Sequence, residues 1–395
     1  MLEIIDEPRS VIERDDAAPA PRRLPVVSWI VLKVAQRCNL NCTYCYVYNR
    51  GDDTWRSRPK LLSPAVAAQL AVRIKAHAEA YGLEEFMVEL HGGEALLLGK
   101  RRMREMLDIL KAGCEGVNLR FIMQTNGLLL DVAWLELLDE YGVKFGISFD
   151  GPPEIADRQR VYLNGRGSTR DLLDKVAALR AATPLFDKLF SGGLCVINAE
   201  TSGEEMVRWM MAQGLKSFDF LLPDASYDNL PDDWPGVGVY RRFLIEAFDY
   251  WLSLGENAPQ IRLFELMMMG LMGRKPALDA LGGELRAICV VETNGAIGVL
   301  DTLRICGDLY ASDQLNVFDH GLDVHAAHYG IDQIQEPCDQ CKACPYFQAC
   351  GGGYLPHRYD GESFANPSLY CEALAGLSER MVELLRRELP ESMWR

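Results

Sequence analysis

The chain has 395 residues, 49% of them apolar and 25% charged, with a formal charge of −15. That length suits a barrel of about 200–250 residues plus a smaller domain, and the acidic balance argues against a nucleic-acid partner, which would meet a basic face. No apolar run reaches membrane-spanning length and the first 28 residues lack a signal-peptide core, so the expected compartment is the cytoplasm, where twelve cysteines read as metal or redox ligands rather than disulfides.

In chain order, residues 1–28 read as an N-terminal arm, poorly ordered unless docked. Residues 29–34 (WIVLKV) read as a buried strand. Ser63 followed by Pro64 is an N-cap with proline at the first helical position, opening a helix that ends near Gly82. Strands are then expected at 86–90, 119–124, 143–149, 194–197 and 217–222. Helices are expected at 101–111, from Asp131 to before Gly142, from Ser168 or Thr169, and at 202–213. Six β/α repeats predict an α/β fold, a parallel sheet curved into a partial barrel over residues 29–238. A helical linker is expected over 239–288. Residues 289–372 read as a cysteine-rich module whose core is too small to stand without ligated metal. Residues 373–395 read as a C-terminal helix, from the spacing of Leu374, Leu377, Met381 and Leu384.

Three cysteines, Cys38, Cys42 and Cys45, sit in the loop after the first strand, at the end where barrel enzymes keep their chemistry. Zinc sites usually pair their ligands as Cys-x2-Cys; gaps of three and two residues do not. A 4Fe–4S cluster needs four protein thiolates to be closed, so three leave one iron open. His91-Gly92-Gly93-Glu94 follows the second strand. The glycines allow close backbone approach, and the carboxylate can hold an ammonium group. Thr125-Asn126-Gly127 and Ser148-Phe149-Asp150-Gly151-Pro152 end the third and fourth strands as polar rim groups. Cys114 and Cys195 read as buried small hydrophobes. His320, His325 and His328 read as solvated, and Met267, Met268, Met269 and Met272 as helix core. The remaining cysteines are Cys289, Cys306, Cys338, Cys341, Cys344, Cys350 and Cys371. Taken alone, the paired motifs at 338–350 would also suit zinc.

The Cys38/Cys42/Cys45 loop and the Gly92-Gly93-Glu94 turn resemble the radical SAM superfamily, and Cys341-x2-Cys344-x5-Cys350 with Cys371 resembles its SPASM extension. Cys45-Tyr-Val-Tyr-Asn49, Trp55-Arg-Ser-Arg-Pro59, 351–359 (GGGYLPHRY) and 366–371 (NPSLYC) look like the FxsB-type peptide maturases. The resemblance implies S-adenosylmethionine (SAM) on the open iron of a 4Fe–4S cluster. It implies contacts from Tyr44, Gly92, Gly93, Glu94, Thr125, Asn126, Ser148, Arg160 (or Arg158) and the strand region of Val196. Ala95 stands where the pattern usually has Pro. The resemblance further implies one auxiliary 4Fe–4S cluster on Cys341, Cys344, Cys350 and Cys371. A second would draw on Cys289, Cys306 and Cys338, although Tyr354 stands where the family has a further cysteine.

The implied activity is radical modification of a ribosomally made precursor peptide. A deoxyadenosyl radical would take a β-hydrogen, and the carbon would join an aromatic ring as a three-residue cyclophane, with Asp308 as a possible base. The implied partners are that peptide and a reductase, flavodoxin or ferredoxin as electron donor. Leader recognition would fall to the barrel, the 223–238 loop or a separate leader-binding protein. The alternatives are sulfatase-maturase-like oxidation of a Cys or Ser, and a non-enzymatic metal or electron-transfer protein.

Overall fold

The computed structural model describes residues 26–274, 278–311 and 313–388. Most of the expected N-terminal arm and the last residues of the expected C-terminal helix lie outside the described residues.

The barrel is built from β1 (Trp29–Ala35), α1 (Pro64–Tyr81), β2 (Glu85–Gly92), α2 (Lys100–Gly113), β3 (Asn118–Thr125), α3 (Val132–Tyr141), β4 (Lys144–Ser148), α4 (Pro153–Ala156), α5 (Thr169–Ala182), α6 (Leu185–Leu189), β5 (Phe190–Val196), α7 (Gly203–Ala212) and β6 (Ser217–Leu221). The helix boundaries have local causes. Ser63 accepts from the Val66 N–H at the start of α1, Gly82 ends it at φ 67°, and Asp131 accepts from the Trp134 N–H to start α3. The α7 start is a full capping box between Ser202 and Glu205.

The sheet continues beyond six strands. Its order is β7-β6-β5-β4-β3-β2-β1-β8-β9, where β7 is Gln260–Ile261, β8 Ile288–Val291 and β9 Ile297–Gly298. Strands β1 to β8 pair in parallel and β9 is antiparallel to β8. The segment 239–288 holds α8 (Val237–Ser253) and α9 (Arg262–Leu271), but β7 in its middle and the start of β8 at its last residue also join the sheet. β7 is too short to give a sequence pattern, and β8 was hidden by the cysteine that it carries.

Alternate residues divide the sheet into two faces. Ile30, Leu32 and Val34 of β1 share one buried core with Leu70 and Ile74 of α1 and Phe86, Val88 and Leu90 of β2. The opposite face points into the barrel. There Val31 pairs with Glu89 and Lys33 with His91. The helix Cys371–Glu388 packs on α8 and α9. Met267 is fully buried in that core.

Candidate functional site

The three-thiol loop leaves β1 at its C-terminal end and folds back on itself. The Cys45 N–H bonds the Cys42 carbonyl and the Asn49 N–H bonds the Cys45 carbonyl. The Asn41 N–H reaches Val161 O and the Thr43 N–H reaches Gln159 O, so the segment around Arg160 braces the loop. Burial pushes the Cys38 thiol up to about 12 and the Cys45 thiol up to about 11, and it raises Cys42 as well. Without a cation these three groups are therefore neutral thiols, and a bound metal would be what makes them thiolates.

Gly92 and Gly93 serve this loop before any ligand. A Cβ on Gly92 would lie 2.3 Å from Ala35 O, and one on Gly93 would lie 2.0 Å from the Tyr48 hydroxyl and 2.4 Å from Arg37 O. The expected close approach is real, but the neighbour is the Cys loop. The Gly93 and Glu94 N–H groups then donate to Ala35 O and Arg37 O.

This arrangement buries Glu94, 1% exposed. Its Oε1 accepts from the Thr125 hydroxyl at 2.7 Å and the Leu96 N–H at 3.0 Å, and its Oε2 from the Asn126 N–H at 2.8 Å. Burial still raises its carboxyl against those three bonds. Among the described residues no Lys or Arg forms an ion pair with it. A buried carboxylate without a cation is costly, and an ammonium group would complete it. The Asn126 side chain donates to Asn39 Oδ1 at 2.8 Å and reaches Cys38 Sγ at 3.7 Å. The Glu94 pocket and the thiol loop are therefore one unit.

A second wall forms around Asp150, 2% exposed. The Tyr44 hydroxyl donates to its Oδ2, the Arg160 guanidinium lies 3.4 Å from that oxygen and 2.6 Å from the Tyr44 hydroxyl, and the Val196 N–H donates to Oδ1 at 3.0 Å. Arg160 is the buried arginine; Arg158 is exposed and pairs with Glu200. The Ser148 hydroxyl accepts from the Gln124 side chain. Asp150 links β4 to β5 and to the thiol loop, a role that its turn-like Asp-Gly-Pro sequence did not disclose.

In the C-terminal module, Cys341, Cys344, Cys350 and Cys371 line one cavity of 230 Å³ with Tyr346 and Phe347. Four cysteines on one cavity are the number that a closed 4Fe–4S cluster takes, although among the described residues no three Cys, His, Asp or Glu side chains are grouped tightly enough to hold a single metal ion. Cys338 is beside this group, hydrogen-bonded to Cys341, but it does not line the cavity. Cys289 and Cys306 belong to neither set: Cys289 lies in the core, and the Cys306 thiol rests 3.9 Å from Pro356 O. Cys114 and Cys195 are buried, as expected of small hydrophobes. His325 corrects the expectation of a solvated histidine: it is 1% exposed, its ring held between the Leu322 and Ile288 carbonyls.

The expected base Asp308 is exposed, at the start of the short helix Asp308–Ala311. The carboxylate that does face the barrel interior is Asp301, five residues before Cys306 at the start of the turn Asp301–Cys306. Asp301 accepts from Lys33 and Tyr46, and Lys33 also contacts the Tyr46 hydroxyl at 3.1 Å and His91 Nδ1 at 3.0 Å. All three ammonium hydrogens of Lys33, 2% exposed, are thus used. Burial pushes the Asp301 carboxyl up, but Lys33 and these hydrogen bonds outweigh it and hold it well below the usual range. Burial and the Lys33 charge lower His91 to about 4. Nearby, burial raises Glu89 and Asp224 to about 7. Sequence reasoning missed Lys33, Glu89 and Asp301. The signal available was a lysine and a glutamate inside otherwise apolar strands.

The chain is similar to known proteins. Residues 32–209 match the model of the Radical SAM superfamily. The chain is 30% identical over 368 residues to a serine-type anaerobic sulfatase-maturating enzyme of Klebsiella aerogenes, covering 86% of this chain and 82% of that protein. Its fold is similar to the solved structure of native anSMEcpe with bound AdoMet and Kp18Cys peptide, at a TM-score of 0.74 and 21% identity, over 91% of this chain and 99% of that one. It is also similar to Streptococcus suis SuiB bound to precursor peptide SuiA, at a TM-score of 0.57 and 16% identity, over 88% and 76%. With the three-thiol loop and the cation-free Glu94 beside it, these likenesses place the protein: the chain belongs to the radical SAM superfamily.

Proposed function

We propose that this radical SAM enzyme modifies a ribosomally made precursor peptide, taking a hydrogen from a β-carbon and joining that carbon to a neighbouring aromatic ring as a three-residue cyclophane. The SAM-dependent part of the reading is supported by the Glu94 carboxylate, buried without an ion-pair partner and tied through Asn126 to the Cys38 loop; the peptide and the cyclophane rest on the likeness of residues 45–49, 55–59, 351–359 and 366–371 to the FxsB-type maturases. SAM on the three-thiol 4Fe–4S cluster supplies, after one-electron reduction, the radical chemistry that removes such a hydrogen. The rest is done by the chain. Glu94 would hold the ammonium of SAM, its two oxygens fixed by the Thr125 hydroxyl and the Asn126 N–H. Tyr44, Asp150 and Arg160, joined to the Val196 N–H, would form a further wall of that site.

The parallel strands exclude water and keep the target carbon close, which decides where an unselective radical reacts. Addition of the carbon radical to the ring leaves a radical adduct, and restoring aromaticity requires the loss of one electron and one proton; a cluster held by Cys341, Cys344, Cys350 and Cys371 would accept the electron. Glu89 and Asp224, raised to about 7, are the carboxyls suited to accept one near neutral pH; Asp301 is committed to Lys33.

A Cys- or Ser-oxidising maturase is the second reading, favoured by the 30% identity to the Klebsiella aerogenes enzyme. The test is anaerobic turnover with SAM, a reductant and aromatic-containing candidate peptides, followed by mass spectrometry and a hydrazide probe. The cyclophane reading expects a product lighter by two hydrogens, unreactive to hydrazide and resistant to proteolysis between the linked residues. A hydrazide-reactive aldehyde at a Cys or Ser would refute it in favour of the second reading.

A further inference from the structure

The cysteine spacing raised the possibility of a second auxiliary cluster on Cys289, Cys306 and Cys338. The structure separates these thiols. Cys289 is in register with Ile30 of β1, and paired residues of parallel strands share a face. Cys289 therefore points with Ile30, Leu32 and Val34 into the helix-covered core, opposite Lys33, and is 0% exposed. Burial alone raises its thiol, with no charged neighbour.

Cys306 ends the turn Asp301–Cys306. Its electrostatic neighbours are Asp224 and Asp228, not another cysteine, so burial and two carboxylates both oppose a thiolate there. Cys338 acts on Cys341 and Cys371 and so belongs with the four-thiol cavity. Tyr354, four residues after Cys350, turns its hydroxyl onto Thr302 Oγ1, four residues before Cys306. Thr302 is itself 7% exposed. A hydroxyl bonded to Thr302 thus stands at the position from which the resemblance expects a further cysteine. Iron–sulfur clusters are held by thiolates, and one isolated thiol beside two carboxylates does not make such a site.

We propose that this chain carries two clusters and not three: one on Cys38, Cys42 and Cys45, one on Cys341, Cys344, Cys350 and Cys371, with the Thr302–Tyr354 pair closing the position of a second auxiliary cluster. The inference rests on the radical SAM reading, and the test separates the two. The full chain is purified and reconstituted anaerobically with iron and sulfide, and both are counted per chain alongside paramagnetic resonance of the dithionite-reduced protein. The expected count is about eight iron atoms. It falls to about four when Cys38, Cys42 and Cys45 are all changed to Ala, and also to about four in Cys341→Ala/Cys344→Ala. Cys306→Ala keeps the wild-type count and spectrum. A wild-type count of about twelve, or loss of about four iron atoms in folded Cys306→Ala, overturns the inference. A wild-type protein with about four iron atoms, all lost in Cys341→Ala/Cys344→Ala, overturns the radical SAM reading along with it. Cys289→Ala opens a core cavity; if it does not fold, the wild-type count and Cys306→Ala decide.

Discussion

Glu94→Gln isolates one charge in the proposed SAM pocket. The carboxylate is 1% exposed, holds three hydrogen-bond donors and forms no ion pair among the described residues, with Arg160 acting on it only from a distance. An ammonium at about 4 Å in a medium of effective dielectric about 20 is worth about 4 kcal/mol, in line with the roughly 3–5 kcal/mol lost when a buried pair is broken. Since about 1.4 kcal/mol is a factor of ten, the variant should bind SAM roughly a hundred- to a thousandfold more weakly. The amide keeps the shape, so iron content should not change. Calorimetric titration of SAM into the reconstituted protein reads the affinity, and an iron assay reads the loop. Glu94→Gln binding SAM within about threefold of wild type would refute the assignment.

Thr125→Val removes one charged hydrogen bond to Glu94, so SAM affinity should drop about tenfold, for roughly 1.5 kcal/mol, as measured by the same titration. Lys33→Met leaves the partly buried Asp301 without its cation and should cost about 2–3 kcal/mol in denaturant unfolding, below the roughly 3–5 kcal/mol of a fully buried pair; Lys33→Met/Asp301→Leu should recover most of it. Glu89 has a folded value of about 7, above the ordinary carboxylate range. Between the two values the folded state holds a proton that the unfolded state has lost, so its contribution falls as pH rises across that window and is flat above about 7. Glu89→Gln should therefore raise the melting temperature at pH 8 and change it little at pH 4. Arg160→Ala should lower SAM affinity while Arg158→Ala leaves it unchanged, because only Arg160 reaches Tyr44 and Asp150.

Local signals made much of this legible in the sequence. The Ser63, Asp131 and Ser202 caps and the strand–helix alternation located the six repeats, and short cysteine spacings located both thiol groups, because each of these features acts within a few residues. What was hidden depends on long-range pairing. Strand β8 showed its role only through its register with β1, which also sends Cys289 into the core. Asp301 gained its place from Lys33, 268 positions away, whereas Asp308 looked suitable because it lies near Cys306. The Gly92-Gly93 pair was correctly read as a close approach, but only the folded loop identified Tyr48 and Arg37 as what approaches.

The central claim is tested most directly by deoxyadenosine formation. The reconstituted chain, given SAM and dithionite without oxygen, should release 5′-deoxyadenosine and methionine, and Cys42→Ala should release neither. A wild-type protein with intact clusters and bound SAM that yields no deoxyadenosine would contradict the account.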